Sequence, residues 1–206
     1  MRLGLGTGST ARWFIHAIGE RVRIEGLRVA AVPTSSESAD MATTAGIPLI
    51  EMPADGLDLA VDGADCVDPR LRLIKGRGGA HVREKIVAAA AARFVVIVDD
   101  SKLAPALAGR LPVELLEFGS ARTLGELGDI CGVPFTVRSD SGGRRVRSDS
   151  GNLIADSASS EWSDAEGLAA TLDSLPGVVG HGFFIGMAEL VVAGNPDGSV
   201  VELTAP

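Results

Sequence analysis

The chain has no tyrosine, two cysteines and three histidines, and aromatic residues make up only 4% of its 206 positions. Two cysteines, Cys66 and Cys131, cannot build a disulfide framework or, by themselves, a four-ligand zinc site. They read as free thiols of a reducing compartment. Long apolar runs are also missing. The most apolar stretch, residues 86–98, is broken by Arg93 and is too short to cross a bilayer. No basic-then-apolar leader opens the sequence. The expectation is a cytoplasmic protein with no membrane partner. Positive charge is scarce: 27 acidic against 19 basic side chains leave a net charge of −8. That argues against general nucleic-acid binding, yet a small anion can bind wherever local donors converge.

What is present is the composition of a folded domain. Hydrophobic residues reach 46% and charged residues 22%, which excludes intrinsic disorder. A chain of this size buries roughly 70% of its extended surface on folding. Short apolar runs at 3–5, 27–32, 48–52, 57–61, 71–74 and 94–98 predict strands, and the patterns at 10–18, 38–45 and 82–92 predict helices. On the first helix Trp13, Phe14, Ala17 and Ile18 are expected to share a face. Near-continuous apolar strands separated by helices predict an α/β fold whose mostly parallel sheet has helices on both faces. From 111 to 183 the strands shorten and polar residues increase, which predicts a small α+β unit with helices at 124–131 and 164–175 and strands at 135–138, 144–147 and 153–155. Residues 187–193 and 199–203 predict a closing hairpin about the turn Asn195-Pro196-Asp197-Gly198.

Polar residues gather just after the predicted strands: Thr7 to Thr10, Thr34 to Ser36, Asp62 to Asp65, and Asp99 to Lys102. Ligands of open α/β sheets bind outside the carboxyl ends of the strands, so four such clusters favour one shared site, although turns are polar anyway. The first motif, Gly4-Leu5-Gly6-Thr7-Gly8-Ser9-Thr10, combines glycines that let the backbone approach a ligand with a helix start that offers free N–H groups to a phosphate. Ser9 or Thr10 can cap that helix. The spacing is neither a Walker A loop nor a dinucleotide fingerprint, and a plain glycine-rich turn has the same composition. The second motif, Asp62-Gly63-Ala64-Asp65, places two carboxylates past a buried strand, where they can hold sugar hydroxyls, shuttle a proton, bind a metal or simply cap a turn. In the third, Lys75 precedes the glycine-rich loop Gly76-Arg77-Gly78-Gly79 and a helix with Glu84 in its first turns. Such a lysine can stabilise an enediolate, and such a glutamate can remove a proton α to a carbonyl or merely complement the helix dipole. Arg138, Arg144, Arg145 and Arg147 read as a solvated hairpin, His16 as a packing or surface residue, and Phe183 and Phe184 as core. His81 and His181 flank glycine turns without an assigned role.

Taken together, the segments GLGTGST (4–10), PTSSES (33–38), DGADCVD (62–68), LIKGRGGAHVREK (73–85), VDDSK (98–102), LPVEL (111–115), SDSGNLIAD (148–156) and LPGVVGHGFFIGMA (175–188) resemble, in order and over essentially the whole chain, the type A ribose-5-phosphate isomerases. The resemblance implies a Rossmann-like catalytic domain of residues 1–110 and 184–206, with a small α+β (ferredoxin-like) lid domain inserted at 111–183. It implies a cofactor-free, metal-free aldose–ketose isomerase of the pentose phosphate pathway. The implied partner is a sugar-phosphate substrate, with no nucleic acid, and the implied assembly a homodimer or homotetramer. Of the implied roles, Glu84 is the base moving a proton between C1 and C2, Lys75 the cation beside the enediolate, Asp62 the group assisting ring opening and Asp65 a holder of hydroxyls. Thr7, Gly8, Ser9, Thr10, Gly63, Ala64, Gly76, Arg77, Gly78 and Lys102 would contact substrate or phosphate.

Several positions depart from the family pattern. A further helix usually precedes the first strand, and without it that strand is expected to be less covered. Cys66 replaces an acidic residue, Arg77 a glycine of the loop, His81 an apolar residue, and Gly180-His181 a glutamate-containing pair. A non-catalytic phosphosugar sensor on the same scaffold, or a related phosphosugar isomerase or deaminase, is the competing reading.

Overall fold

The computed structural model describes residues 1–204. Its main sheet has six strands in the order Val200–Thr204, Leu190–Gly194, Phe94–Asp99, Leu59–Asp62, Arg2–Leu5 and Ala30–Pro33. All neighbours run parallel except Val200–Thr204, which closes the edge as an antiparallel hairpin with Leu190–Gly194. The hairpin turn is at Asn195–Gly198, as its sequence predicts. Side chains alternate between the faces of each strand. Leu3, Leu5 and Ala31 therefore pack under helices α1 (Ser9–Glu25) and α2 (Ser36–Thr44), while Ala60, Phe94, Val96 and Val191 pack with Val87 and Ala88 of helix α3 (His81–Ala90). The sheet is thus covered on both faces, as expected.

The remaining chain builds smaller antiparallel sheets. A four-stranded one has the order Val178–His181, Pro112–Leu115, Leu153–Ser157 and Phe135–Val137. Helices α4 (Ser120–Cys131) and α5 (Ala165–Asp173) contribute to its core, which includes Leu115, Leu127, Leu153, Trp162 and Leu172. A three-stranded one joins Phe183–Phe184 to Leu73–Ile74 and Cys66–Val67. The loop after residue 147 ties this region to the parallel sheet: the Asp149 carboxylate accepts hydrogen bonds from Ser36 N (3.0 Å) and Ser36 Oγ (2.8 Å).

Several sequence expectations need correction. The face of α1 turned to the core is Ala11, Ile15, Ile18 and Gly19; Trp13 is 72% exposed and Ala17 is exposed. The sheet lies against the Ile15–Ile18 side, so the bulkiest aromatic on the helix does not mark its buried face. Residues 48–52 form only a single bridge between Leu49 and Ala31, and residues 144–147 only bridges at Arg145 and Arg147. Both segments have too few neighbours to form a ladder. The strand expected at 27–32 is confined to Ala30–Pro33, because its partner strand Arg2–Leu5 is equally short. Cys66 and Cys131 are free thiols.

Trp162 supports the antiparallel core. Its ring meets Phe183 edge-on with centroids 5.5 Å apart, and its indole N–H donates to Gly109 O at 3.0 Å. Trp162→Ala removes this packing and leaves a cavity, so urea unfolding is expected to show a loss of about 3–5 kcal/mol; a loss below about 1 kcal/mol would mean that the ring is not part of the core.

Candidate functional site

The carboxyl ends of the strands Arg2–Leu5 and Leu59–Asp62 converge on one polar cavity of about 260 Å³. Thr7, Gly8, Ser9 and Thr10 line it from the turn into α1. Gly63, Ala64 and Asp65 line it from the turn after Asp62. Lys75, Gly76, Arg77, Gly78 and Glu84 line it from the glycine-rich loop and α3, and Lys102 from the short helix Asp100–Lys102. Every residue for which the resemblance implies a role borders this cavity except Asp62, which lies directly behind it, whereas of the polar clusters expected to share the site Thr34 to Ser36 and Asp99 to Ser101 stay outside its lining.

The backbone makes the cavity possible. Gly8, with φ 104°, caps α1 in a conformation that side-chain-bearing residues rarely adopt. No side chain caps the helix. The expectation that Ser9 or Thr10 does so is therefore corrected: both residues lie inside the helix, and its first N–H groups are left facing the cavity end. Gly6 is required for a different reason. A Cβ there would sit 2.0 Å from Asp62 Oδ1.

Three ionisable groups are buried together. Lys75 Nζ lies 3.0 Å from Asp62 Oδ2 and donates to Gly63 O at 2.5 Å. It also stands 3.2 Å from Glu84 Oε2, an ion-pair distance without hydrogen-bond alignment, so that this oxygen has no hydrogen-bond partner among the described residues. Asp62 Oδ1 accepts from Thr7 N at 3.1 Å and Gly63 N at 2.7 Å, which joins the two turns. All three side chains are under 5% exposed. Burial works to lower the Lys75 pKa, but the carboxylates of Asp62 and Glu84 outweigh it and hold the ammonium above its ordinary value. Burial raises Asp62, with Lys75 and the two N–H donors opposing. Burial pushes the Glu84 carboxyl up to about 8; Lys75 opposes this, and the charges of Asp62 and Asp65 add to it. One ammonium cannot fully compensate two buried carboxylates, and both are raised above their ordinary values.

Neighbouring groups fix this arrangement. Arg77 N donates to Asp65 Oδ2 at 2.9 Å, and the hydroxyl of Thr7 lies 2.7 Å from Thr34 Oγ1 and 2.8 Å from Ser35 Oγ. The sequence reading missed two contributors. Phe184, read only as core, places its ring centroid 5.4 Å from Lys75 Nζ and 5.2 Å from Lys85 Nζ. Arg138, read as part of a solvated hairpin, grips Asp156 through two hydrogen bonds of 2.7 and 2.6 Å and donates to Arg77 O (2.8 Å) and Gly76 O (3.2 Å), so it braces the glycine-rich loop. Both act through strands far away in sequence, and only the basic character of Arg138 was a visible signal. His81 and His181 are both buried and lie outside the cavity lining. Burial and nearby Lys85 lower them to about 3 and about 4 respectively, so they are neutral near pH 7. His16 is exposed beside Glu20.

A mostly parallel α/β sheet with its polar cavity at the strand ends defines a small-molecule-binding scaffold. Comparison with known proteins narrows the class. The sequence profile of ribose 5-phosphate isomerase A (phosphoriboisomerase A) matches residues 30–198. Ribose-5-phosphate isomerase A of Roseiflexus castenholzii is 48% identical over 210 residues, covering 100% of this chain and 89% of the relative. The solved ribose 5-phosphate isomerase of Plasmodium falciparum superposes with a TM-score of 0.95 at 34% identity, covering 99% of this chain and 90% of the other. A D-ribose-5-phosphate isomerase solved in complex with phospho-erythronic acid superposes with a TM-score of 0.93 at 35% identity, with the same coverage. The chain belongs to the ribose 5-phosphate isomerase A family.

The raised Glu84 pKa has a consequence for stability. A carboxyl that binds its proton more tightly when folded stabilises the fold below its ordinary value of 4.5, and this contribution disappears as pH rises through about 8. Glu84→Gln cannot ionise. Its stability relative to wild type is expected to rise between pH 4.5 and 8 in urea titrations, whereas parallel pH profiles would show that the carboxyl is not shifted.

Proposed function

We propose that the chain is a cofactor-free aldose–ketose isomerase that interconverts D-ribose 5-phosphate and D-ribulose 5-phosphate through an enediolate, in the cytoplasmic non-oxidative pentose phosphate pathway. The observation that carries this reading is the adjacency of Lys75 and Glu84, 3.2 Å apart and buried, on the wall of a cavity that also contains the start of α1.

The phosphate binds at the free N–H groups of α1 with the Ser9 and Thr10 hydroxyls and Lys102, where the helix dipole favours an anion. This handle contributes binding energy remote from the reacting carbons. Asp65, Gly63, Ala64, Gly76, Arg77 and Gly78 border the sugar itself, and the Asp65 carboxylate holds its hydroxyls. In the open aldose Glu84 takes the proton from C2 while the Lys75 ammonium faces the oxygens on C1 and C2. Charge develops on those oxygens as the C1–C2 double bond forms, and an ammonium already in place stabilises it without reorganisation. Glu84 returns the same proton to C1, and the hydroxyl proton passes from O2 to O1, which gives the ketose. A carboxyl near 8 is a stronger base than an ordinary glutamate, which suits removal of a weakly acidic carbon proton. The resemblance implies ring opening for Asp62. With Oδ1 held by two backbone N–H groups and Oδ2 by Lys75, we assign it the positioning of Lys75 and of both turns. Residues 111–183 act as the lid over this cavity, and the protein assembles as a homodimer or homotetramer.

A coupled assay on ribose 5-phosphate, with EDTA present and no nucleotide, tests this reading. Activity is expected, and Glu84→Gln should lower kcat by ~10²–10⁴ while leaving the fold intact. In the wild type kcat/KM should fall as pH drops below about 8, because the basic form of Glu84 is lost. Substrate binding without turnover would instead identify a phosphosugar sensor.

A further inference from the structure

A second and larger cavity, about 490 Å³, adjoins the first and shares Asp65 and Arg77 with it. Three arginines line it, Arg77, Arg110 and Arg138, together with two aspartates, Asp65 and Asp156. The carboxylates are already engaged. Asp156 is held by Arg138 through two hydrogen bonds, and Asp65 Oδ2 accepts from Arg77 N. Arg138 spends further N–H groups on the carbonyls of Arg77 and Gly76. The side chains of Arg77 and Arg110 form no ion pair among the described residues, and both are exposed. In a chain of net charge −8, three arginines against two aspartates leave this concave surface one net positive charge, a local positive field. Their planar N–H forks match the oxygens of a phosphoryl or carboxylate group, and the Ser159 hydroxyl borders the same space. The volume is that of a small-molecule site.

We propose that this cavity is a second anion-binding subsite, which takes a phosphoryl or carboxylate group of a small metabolite through Arg77 and Arg110. It is separate from the helix-start anion site of the sugar cavity and does not depend on the isomerase reading. Its occupant lies across Asp65 from the sugar cavity.

An NMR titration of ¹⁵N-labelled protein with inorganic phosphate reads the two cavities separately. Amides of Ala108, Gly109 and Ser159 report the second cavity, and those of Gly8, Ser9 and Thr10 the first. Saturable shifts are expected at the second group, weakened at least tenfold by Arg110→Ala and by Arg77→Ala, with the Arg110→Ala curve unchanged at the first group. Shifts that grow linearly without saturating, or that are the same in Arg110→Ala, would overturn the subsite. Failure of phosphate to move Gly8, Ser9 and Thr10 would count against the reading of the sugar cavity alone. A pentose 1,5-bisphosphate separates the two sources of the anion. One common binding curve at both groups of amides identifies the far end of a longer sugar phosphate. A response at the first group alone identifies an independent anion, since inorganic phosphate still fills the second.

Discussion

The Lys75 ammonium is almost fully buried at the wall of the cavity, between the carboxylates of Asp62 and Glu84. Burying one unpaired charge costs several kcal/mol even after relaxation. None of the three groups is tolerable there without the others, and the surrounding chain is arranged to keep them in contact. Gly6 has no side chain because Asp62 occupies the space a Cβ would need. The Gly63 carbonyl turns inward to accept from Lys75. The pairing of Phe184 with Leu73 brings an aromatic ring beside the same ammonium. The single ammonium cannot fully cancel both carboxylates, so burial raises the pKa of Asp62 and of Glu84.

Much of this was legible in the sequence because the groups come in short contiguous motifs at strand ends. Asp62 and Asp65 follow one strand, and Lys75 and Glu84 flank one glycine-rich loop. The alternation of apolar runs with helices gave the parallel sheet. The parts that were not legible depend on contacts between distant segments. Arg138 looks like any exposed arginine until Asp156 and the carbonyls of Gly76 and Arg77 are placed around it. Phe184 reads as a core residue, and it is one; its second role depends on antiparallel register with Leu73. Helix α1 was misread at Trp13 because hydrophobicity marks a buried face only when a neighbour exists on that side. The segments 48–52 and 144–147 were read as strands because their residues suit one, but a full strand needs a partner along its length, and only isolated bridges at Leu49, Arg145 and Arg147 form.

The antiparallel unit meets the parallel sheet through polar contacts as well as packing. Asp149 lies against the start of α2, accepting from the backbone and side chain of Ser36, and Arg83 of α3 donates to the Asp149 carbonyl at 2.9 Å. Arg138 makes a second tie, from the strand region after Val137 to the glycine-rich loop. Both ties lie beside the polar cavity rather than at a remote hinge, so the position of residues 111–183 and the shape of the loop that carries Arg77 are mechanically linked.

The order of the chain has a further consequence. Among the described residues, all that line the polar cavity lie within the first 102 positions, yet the strand Phe94–Asp99 at the middle of that sheet is completed only by Leu190–Gly194, with Leu190 opposite Val95. During synthesis the cavity-forming half therefore emerges with one flank of a central strand unpaired. It must wait for the whole intervening unit before the hairpin at the end can cover that flank. Such long-range closure slows folding and leaves a β edge open to wrong partners, so truncation near the carboxyl end threatens a site to which those last residues contribute no side chain.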